Sequence, residues 1–238
     1  HSLLGALQDF SVDKGRSVAV EEFIEGHEGF YDTLTVNGKI THEFISHYYP
    51  NVLHAMRTRW ISPQIVITNR VHSPGYDELR TMAQRVIETL GIETSATHME
   101  WFYGPKGLRF SEIGCRPPGV NTWDLYAAAN DYDIYRQWAM AVLYGQVEQH
   151  PSRRRSAGII ALRPDQDGRI VGYSGLEEMQ HRYGSLIMDS HFPAIGSPAR
   201  PVEGGYMANA WVRLLHEDYD QLRAAMDHIG MLVQVHAG

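Results

Sequence analysis

The sequence predicts an α+β fold built on a largely antiparallel sheet. Three observations lead there. Strand-like and helix-like runs interleave without the regular spacing of βαβ units. Asn37-Gly38 sits between two β-patterned runs, and that dipeptide supplies both positive φ angles of a tight hairpin turn. One long segment, 74–90, carries apolar residues at helical spacing and stops at Gly91. With 238 residues, 43% hydrophobic and 21% charged content, the chain has the composition of an ordinary globular protein, and its single cysteine excludes a disulfide scaffold.

Taken in order, Leu3, Leu4 and Leu7 fall at helical spacing, as at the end of a helix that begins ahead of this sequence. Residues 16–24 read as a strand, and 29–36 and 39–45 as the hairpin around Asn37-Gly38. Ser73 as a capping hydroxyl, Pro74 at the first position and Asp77 and Glu78 in the first turn open the helix over 74–90. Leu79, Met82, Ala83, Val86, Ile87 and Leu90 form its apolar stripe. Segments 97–103 and 108–114 read as strands around Gly104-Pro105-Lys106-Gly107, and 121–143 as helix in two pieces broken near Asp131. The stretch 146–156, holding Pro151 and Arg153 to Arg155, reads as a solvated linker. It divides the chain into units 1–148 and 157–238. The second unit predicts a hairpin over 157–173 turning at 165–168, a helix over 176–183, strands over 186–191 and 204–215, and a helix over 217–229.

Charge narrows the function. A net charge of −7 argues against a nucleic-acid surface, which needs clustered Lys and Arg. No run approaches eighteen apolar residues and no leader pattern opens the chain, so neither membrane nor secretion is expected and a cytoplasmic location is. Only three of the basic residues are lysines (Lys14, Lys39 and Lys106). His42, His47 and His54 share no face, and His181 and His191 are isolated, which favours ordinary histidines over metal ligands. Trp60, Trp101, Trp123, Trp138 and Trp211 lie in apolar patterns and read as core.

The chemistry centres on Glu100 and Glu112. If Phe102 faces Phe110 across the turn, Glu100 faces Glu112, with Cβ atoms about 4.5–5.5 Å apart on one face of the sheet. His98, Gly114 and Arg116 then point the same way by alternation. Two facing carboxylates destabilise a sheet unless a cation lies between them, and Mg²⁺ takes carboxylate oxygens while leaving positions for phosphate. A register shifted by one residue would instead leave both glutamates on an exposed hairpin face.

A further pattern joins this pair. Residues 20–28 read V-E-E-F-I-E-G-H-E, residues 98–102 H-M-E-W-F, and residues 111–119 S-E-I-G-C-R-P-P-G. Their order and spacing over residues 1–145 resemble the C-terminal lobe of the ATP-grasp superfamily. The resemblance implies ATP and Mg²⁺ as cofactors. It implies Glu21 with Phe23 and Ile24 at the adenine edge, Glu28 at the ribose, Glu100 and Glu112 bridging the metal, and Arg116 on the transferring phosphate. Arg57, with Arg59 competing, falls where the family has a second phosphate-side cation. The implied activity is that of a carboxylate–amine or carboxylate–thiol ligase, with an acyl-phosphate intermediate, small-molecule substrates and room for a homodimer. Residues 157–238 are similar to the small subdomain that follows this lobe in several such ligases. Cys115 reads as a small buried side chain, with no catalytic role.

Two departures qualify the resemblance. Gly114 stands where the family has Asn, and the family's nucleotide-gripping lysines and glycine-rich loop would precede His1. The chain is therefore expected to be part of a longer protein, binding nucleotide weakly and not turning over alone. The other class open to it is a grasp-like module that holds nucleotide or a partner without catalysis.

Overall fold

The computed structural model describes residue 15 and residues 17–238. Leu3, Leu4, Leu7, Lys14 and Arg16 lie outside the described residues.

The chain runs β1 (His27–Val36), β2 (Lys39–Tyr49), a short α1 (Val52–Ala55), β3 (Gln64–Thr68), α2 (Asp77–Thr89), β4 (Ser95–Gly104) and β5 (Gly107–Gly114). It continues through α3 (Thr122–Asn130), α4 (Ile134–Tyr144), β6 (Ser156–Leu162), β7 (Ile170–Ser174), α5 (Leu176–Tyr183), β8 (Ile187–His191), β9 (Ala210–His216), α6 (Tyr219–Leu232) and β10 (Gln234–Ala237). Eight strands form one sheet in the order β5-β4-β1-β2-β3-β6-β9-β8, and β10 pairs with β7 in a small second sheet. Each of these ladders is antiparallel. The α+β expectation with a largely antiparallel sheet holds. The large sheet also crosses the linker, because β6 pairs with β3 on one side and β9 on the other.

Alternation along the strands splits the apolar residues between two faces. On the front, Phe30, Phe44, Tyr48, Ile65 and Ile159 pack under Tyr126 and Ala129 of α3. On the back, Tyr31, Ile45, Met99 and Trp101 pack under Leu79 and Ala83 of α2. Farther along the same face, Val66, Ile160, Val212 and Leu214 lie under Leu222, Met226 and Ile229 of α6.

The Asn37-Gly38 turn has the expected positive φ at both residues (50° and 75°). The long helical stretch breaks at Asp131 (φ 55°), after which Asp133 accepts from the Arg136 N–H at 3.0 Å and starts α4.

Several expectations are corrected. Residues 17–24 form no strand; Val20 and Phe23 are exposed, and an apolar β-branched run becomes a strand only with a neighbouring ladder. The helix over 74–90 begins as a 3-10 turn, Pro74–Tyr76, and the Ser73 side chain caps nothing. There the Ser73 carbonyl accepts from the Tyr76 N–H (3.0 Å). β6 and β7 are not a hairpin: β6 is a central strand and β7 joins β10. β9 starts at Ala210 rather than 204, because Val202–Gly204 is a 3-10 turn. Trp60 is 88% exposed and Cys115 is exposed, so neither is core. The arginine run is not a solvated linker either. Arg153 stacks 5.0 Å over Phe44, and Arg155 donates to the Ala128 carbonyl (2.6 Å) and pairs with Asp131.

Candidate functional site

The front face near β5 collects the titratable residues. The β1–β4 register sets Glu28 opposite Phe102, Phe30 opposite Glu100, and Asp32 opposite His98. The β4–β5 register pairs His98 with Gly114 and Met99 with Ile113. Nearer the turn it pairs Trp101 with Phe110 and Phe102 with Arg109. The expected Phe102–Phe110 pairing is replaced by Phe102–Arg109, the register that runs unbroken from the two-residue turn. A bulge beyond it, where one β4 residue, Glu100, faces two on β5, Ser111 and Glu112, shifts the pairing by one. Counting back from the Met99–Ile113 pair, alternation keeps Glu112 on the face of Glu100.

Behind these carboxylates lies a hydrogen-bonded cluster. Asp32 Oδ1 meets His98 Nδ1 at 2.7 Å, and Asp32 Oδ2 accepts from the Tyr126 hydroxyl at 2.5 Å. His98 Nε2 stands 3.7 Å from Glu100 Oε1, which also accepts from the Tyr48 hydroxyl at 3.4 Å. Burial pulls the His98 imidazole down, but Asp32 and Glu100 outweigh it and hold its pKa at about 9. Burial pushes the Asp32 carboxyl up, and the His98 hydrogen bond, the Tyr126 hydroxyl and the Arg116 charge oppose that shift. Arg116 is exposed and lies along Gly114, where its Cγ and Nε would sit 3.4 and 3.5 Å from an added Cβ.

Glu28 is 5% exposed. One of its oxygens, Oε2, accepts from the Val52 N–H at 2.7 Å, so it caps α1 while the other remains available. Burial raises its pKa to about 7; the Val52 N–H opposes the rise and the nearby Glu100 carboxylate adds to it. Glu21, Phe23, Ile24 and Glu28 line one cleft of about 500 Å³, closed on the β4–β5 side by Phe102 and Phe110. The segment entering β1 is held there by two glycines. A Cβ on Gly26 (φ 154°) would lie 2.5 Å from the Tyr103 carbonyl oxygen, and one on Gly104 would lie 2.1 Å from that of Glu25. Glu22 adds an ion pair with Lys106 in the turn.

The structure brings together seven of the eight residues singled out in the sequence: the four lining the cleft and Glu100, Glu112 and Arg116 around the bulge. Arg57 is exposed beyond α1 and makes no hydrogen bond or ion pair with Glu28, Glu100 or Glu112 among the described residues; Arg59 pairs with Asp167. Asp32, Tyr48 and Tyr126 were missed. A lone acid in G-F-Y-D-T-L-T-V is a signal for Asp32, but its partner emerges only from the β1–β4 register. Among the described residues no group of three or more His, Cys, Asp or Glu is arranged to hold a metal. Were a hard divalent ion to bind here, Glu100 and Glu112 would offer it two carboxylates and leave the rest of its shell to phosphate oxygens and water.

No protein-family model and no curated protein matches the sequence. The fold matches solved structures. L-amino acid ligase from Bacillus licheniformis superposes with a TM-score of 0.67 at 17% identity, over 91% of this chain and 55% of that one. Phosphoribosylglycinamide synthetase from Anaerococcus prevotii gives 0.65 at 12% identity, over 100% and 61%. N5-carboxyaminoimidazole ribonucleotide synthetase from Thermotoga maritima gives 0.63 at 16% identity, over 94% and 57%. The chain has an ATP-grasp fold. It spans 55 to 61% of the length of these three structures. The cleft borders the β4–β5 hairpin at Phe102, Phe110 and Ser111.

Proposed function

We propose that this chain carries the nucleotide and metal side of an ATP-dependent ligase that joins a small carboxylic acid to an amine or thiol. The observation that carries the reading is the pair Glu100 and Glu112, held on one face by the β5 bulge beside a cleft that ends at Glu28. The names of the fold neighbours, ligases and synthetases, agree with it. Spanning 55 to 61% of those structures, the chain is given only this part of the site, and turnover is assigned to the full protein.

In this reading Glu21, Phe23 and Ile24 hold the base and the free oxygen of Glu28 takes a ribose hydroxyl. Glu100 and Glu112 would hold Mg²⁺, which when bound would offset the charge of the phosphates. A substrate carboxylate oxygen attacks the γ-phosphorus, the bond to the β,γ-bridging oxygen breaks and ADP leaves. The acceptor then displaces phosphate from the acyl carbon. Arg116 is the multi-donor cation for the transferring phosphate and the acyl-phosphate that follows, with Arg57 assigned to the outer phosphate side. His98, charged between Asp32 and Glu100, fixes the Glu100 carboxylate.

The test is positional isotope exchange in γ-phosphate-labelled ATP, measured in the full protein with a carboxylic acid and no acceptor. Scrambling that needs both acid and Mg²⁺ supports the acyl-phosphate; phosphate release without scrambling removes it. The second reading, a module that binds without turnover, draws on Gly114, whose missing side chain leaves Arg116 lying over the strand. Tight Mg-ADP binding with no phosphate release from any acid would favour that reading.

A further inference from the structure

Helix α4 is built of apolar and aromatic residues on every side, and among the described residues nothing covers one of its faces. Of its eleven residues only Arg136 and Gln137 fall outside that description. A helix of this composition belongs between two packed layers. One layer is present: Ile134 joins Leu34 and Ala96 in the front core, and Gln137 and Ala141 are buried at the same helical spacing. The polar Gln137 is thus turned inward, where its side-chain oxygen accepts from the Glu148 and Gln149 N–H groups at 2.7 and 3.1 Å. Apolar residues are turned outward instead. Tyr135, Trp138, Ala139 and Val142 form a second stripe, Leu143 widens it, and its four large side chains are 37–70% exposed. Its aromatic part is rigid, because Tyr135 and Trp138 each meet the buried Trp123 edge-on, at 5.2 and 5.4 Å. Charge is kept to the side: Arg136 Nε donates to Glu148 at 2.9 Å, and the Tyr135 hydroxyl donates to Asp124 at 2.8 Å.

We infer that this face receives a second copy of the same protein, whose α4 lies antiparallel across the first. The stripe is self-complementary. With a two-fold axis between Trp138 and Ala139, each Trp138 ring covers the small Ala139 of the second copy, and each Tyr135 meets the second copy's Val142. Size agrees as well. At about 150–250 Å² for a whole aromatic side chain, the exposed parts of the stripe come to roughly 500 Å² per copy. A symmetric pair then covers about 1,000 Å², where specific interfaces begin. Trp138 and Tyr135 are the anchors at its centre, and the Tyr135–Asp124 and Arg136–Glu148 contacts supply the polar rim. This inference is independent of the ligase reading.

Its experiment is sedimentation of the full protein across a dilution series, with Trp138→Glu and Val142→Glu alongside and circular dichroism to check that each variant folds. The parent is expected to be a dimer that dissociates on dilution. Each variant places a charge in the paired stripe and is expected to weaken association more than about 30-fold. Val142→Glu leaves the Trp123 stacking untouched and decides the matter where Trp138→Glu does not fold. A parent that stays monomeric overturns the inference, whether water or another part of the full protein covers α4. A dimer equally tight in the folded variants overturns it too, since the pairing then lies elsewhere on the surface.

Discussion

The two ends of the sheet's front face each hold a buried cation between two acids, and they differ in what surrounds it. At the β8–β9 end, the Arg213 side chain, 8% exposed, donates through Nε to Asp189 at 2.6 Å, pairs with the same carboxylate through Nη2, and reaches Asp124 at 3.4 Å. It also stacks 5.2 Å over Trp211. That end is satisfied. At the β4–β5 end His98 serves both Asp32 and Glu100, Glu28 and Glu112 add two more acidic side chains, and Arg116 lies near Asp32. Facing acids on a packed sheet lower stability, and their gathering at one end is what the proposed metal site would account for.

This contrast can be broken at either end. Asp32→Ala leaves the His98 charge buried without its closest partner and is expected to cost about 3–5 kcal/mol in urea unfolding. A loss under about 1 kcal/mol would show that the pair is not what holds the cluster. Glu112→Gln, in the exposed half of the site, should lower kcat of the full protein about 10²–10³-fold while moving Tm by less than about 2 °C. Near-normal turnover would end its role at the metal. Arg213→Met at the satisfied end should cost about 1–2 kcal/mol of stability and leave KM for ATP unchanged, and a shifted ATP KM would tie the two ends together.

The smallest effect is a pH dependence. Because the folded Glu28 pKa is raised from 4.5 to about 7, its stabilising contribution is full below pH 4.5 and is lost as pH rises through 7. Relative to Glu28→Gln, the wild type should therefore lose stability between pH 4.5 and 7, by at most about 1.4 kcal/mol per pH unit. Denaturant midpoints of the two proteins at pH 4.5, 6 and 7.5 measure it, and parallel midpoints would place Glu28 in water.

What was legible in the sequence follows from what is local. The Asn37-Gly38 turn, the breaks at Gly91 and Asp131, and the helix over 176–183 each rest on a few adjacent residues and appear as expected. β3, a five-residue buried strand at the centre of the sheet, went unrecognised because a run that short shows no periodicity. The β6–β7 pairing failed because adjacency along the chain suggested a hairpin, whereas burial on both faces required β6 to sit between β3 and β9. At the site, the facing glutamates came from counting residues about a turn. Asp32, Tyr48 and Tyr126 reach the same point from three other elements, separations that no local pattern records.

The extra residue in β5 also separates two design variables that a regular hairpin would lock together. With the pairing of Trp101 and Phe110 continued unbroken, Glu112 would fall opposite Met99 and turn into the helix-packed core, while Ile113 would face the front of the sheet. Ser111 absorbs that one-step offset, so the tip at Pro105-Lys106 can be as tight as two residues without dictating where the acidic side chain emerges. A strand built this way can be lengthened or trimmed at its tip while its chemistry stays in place.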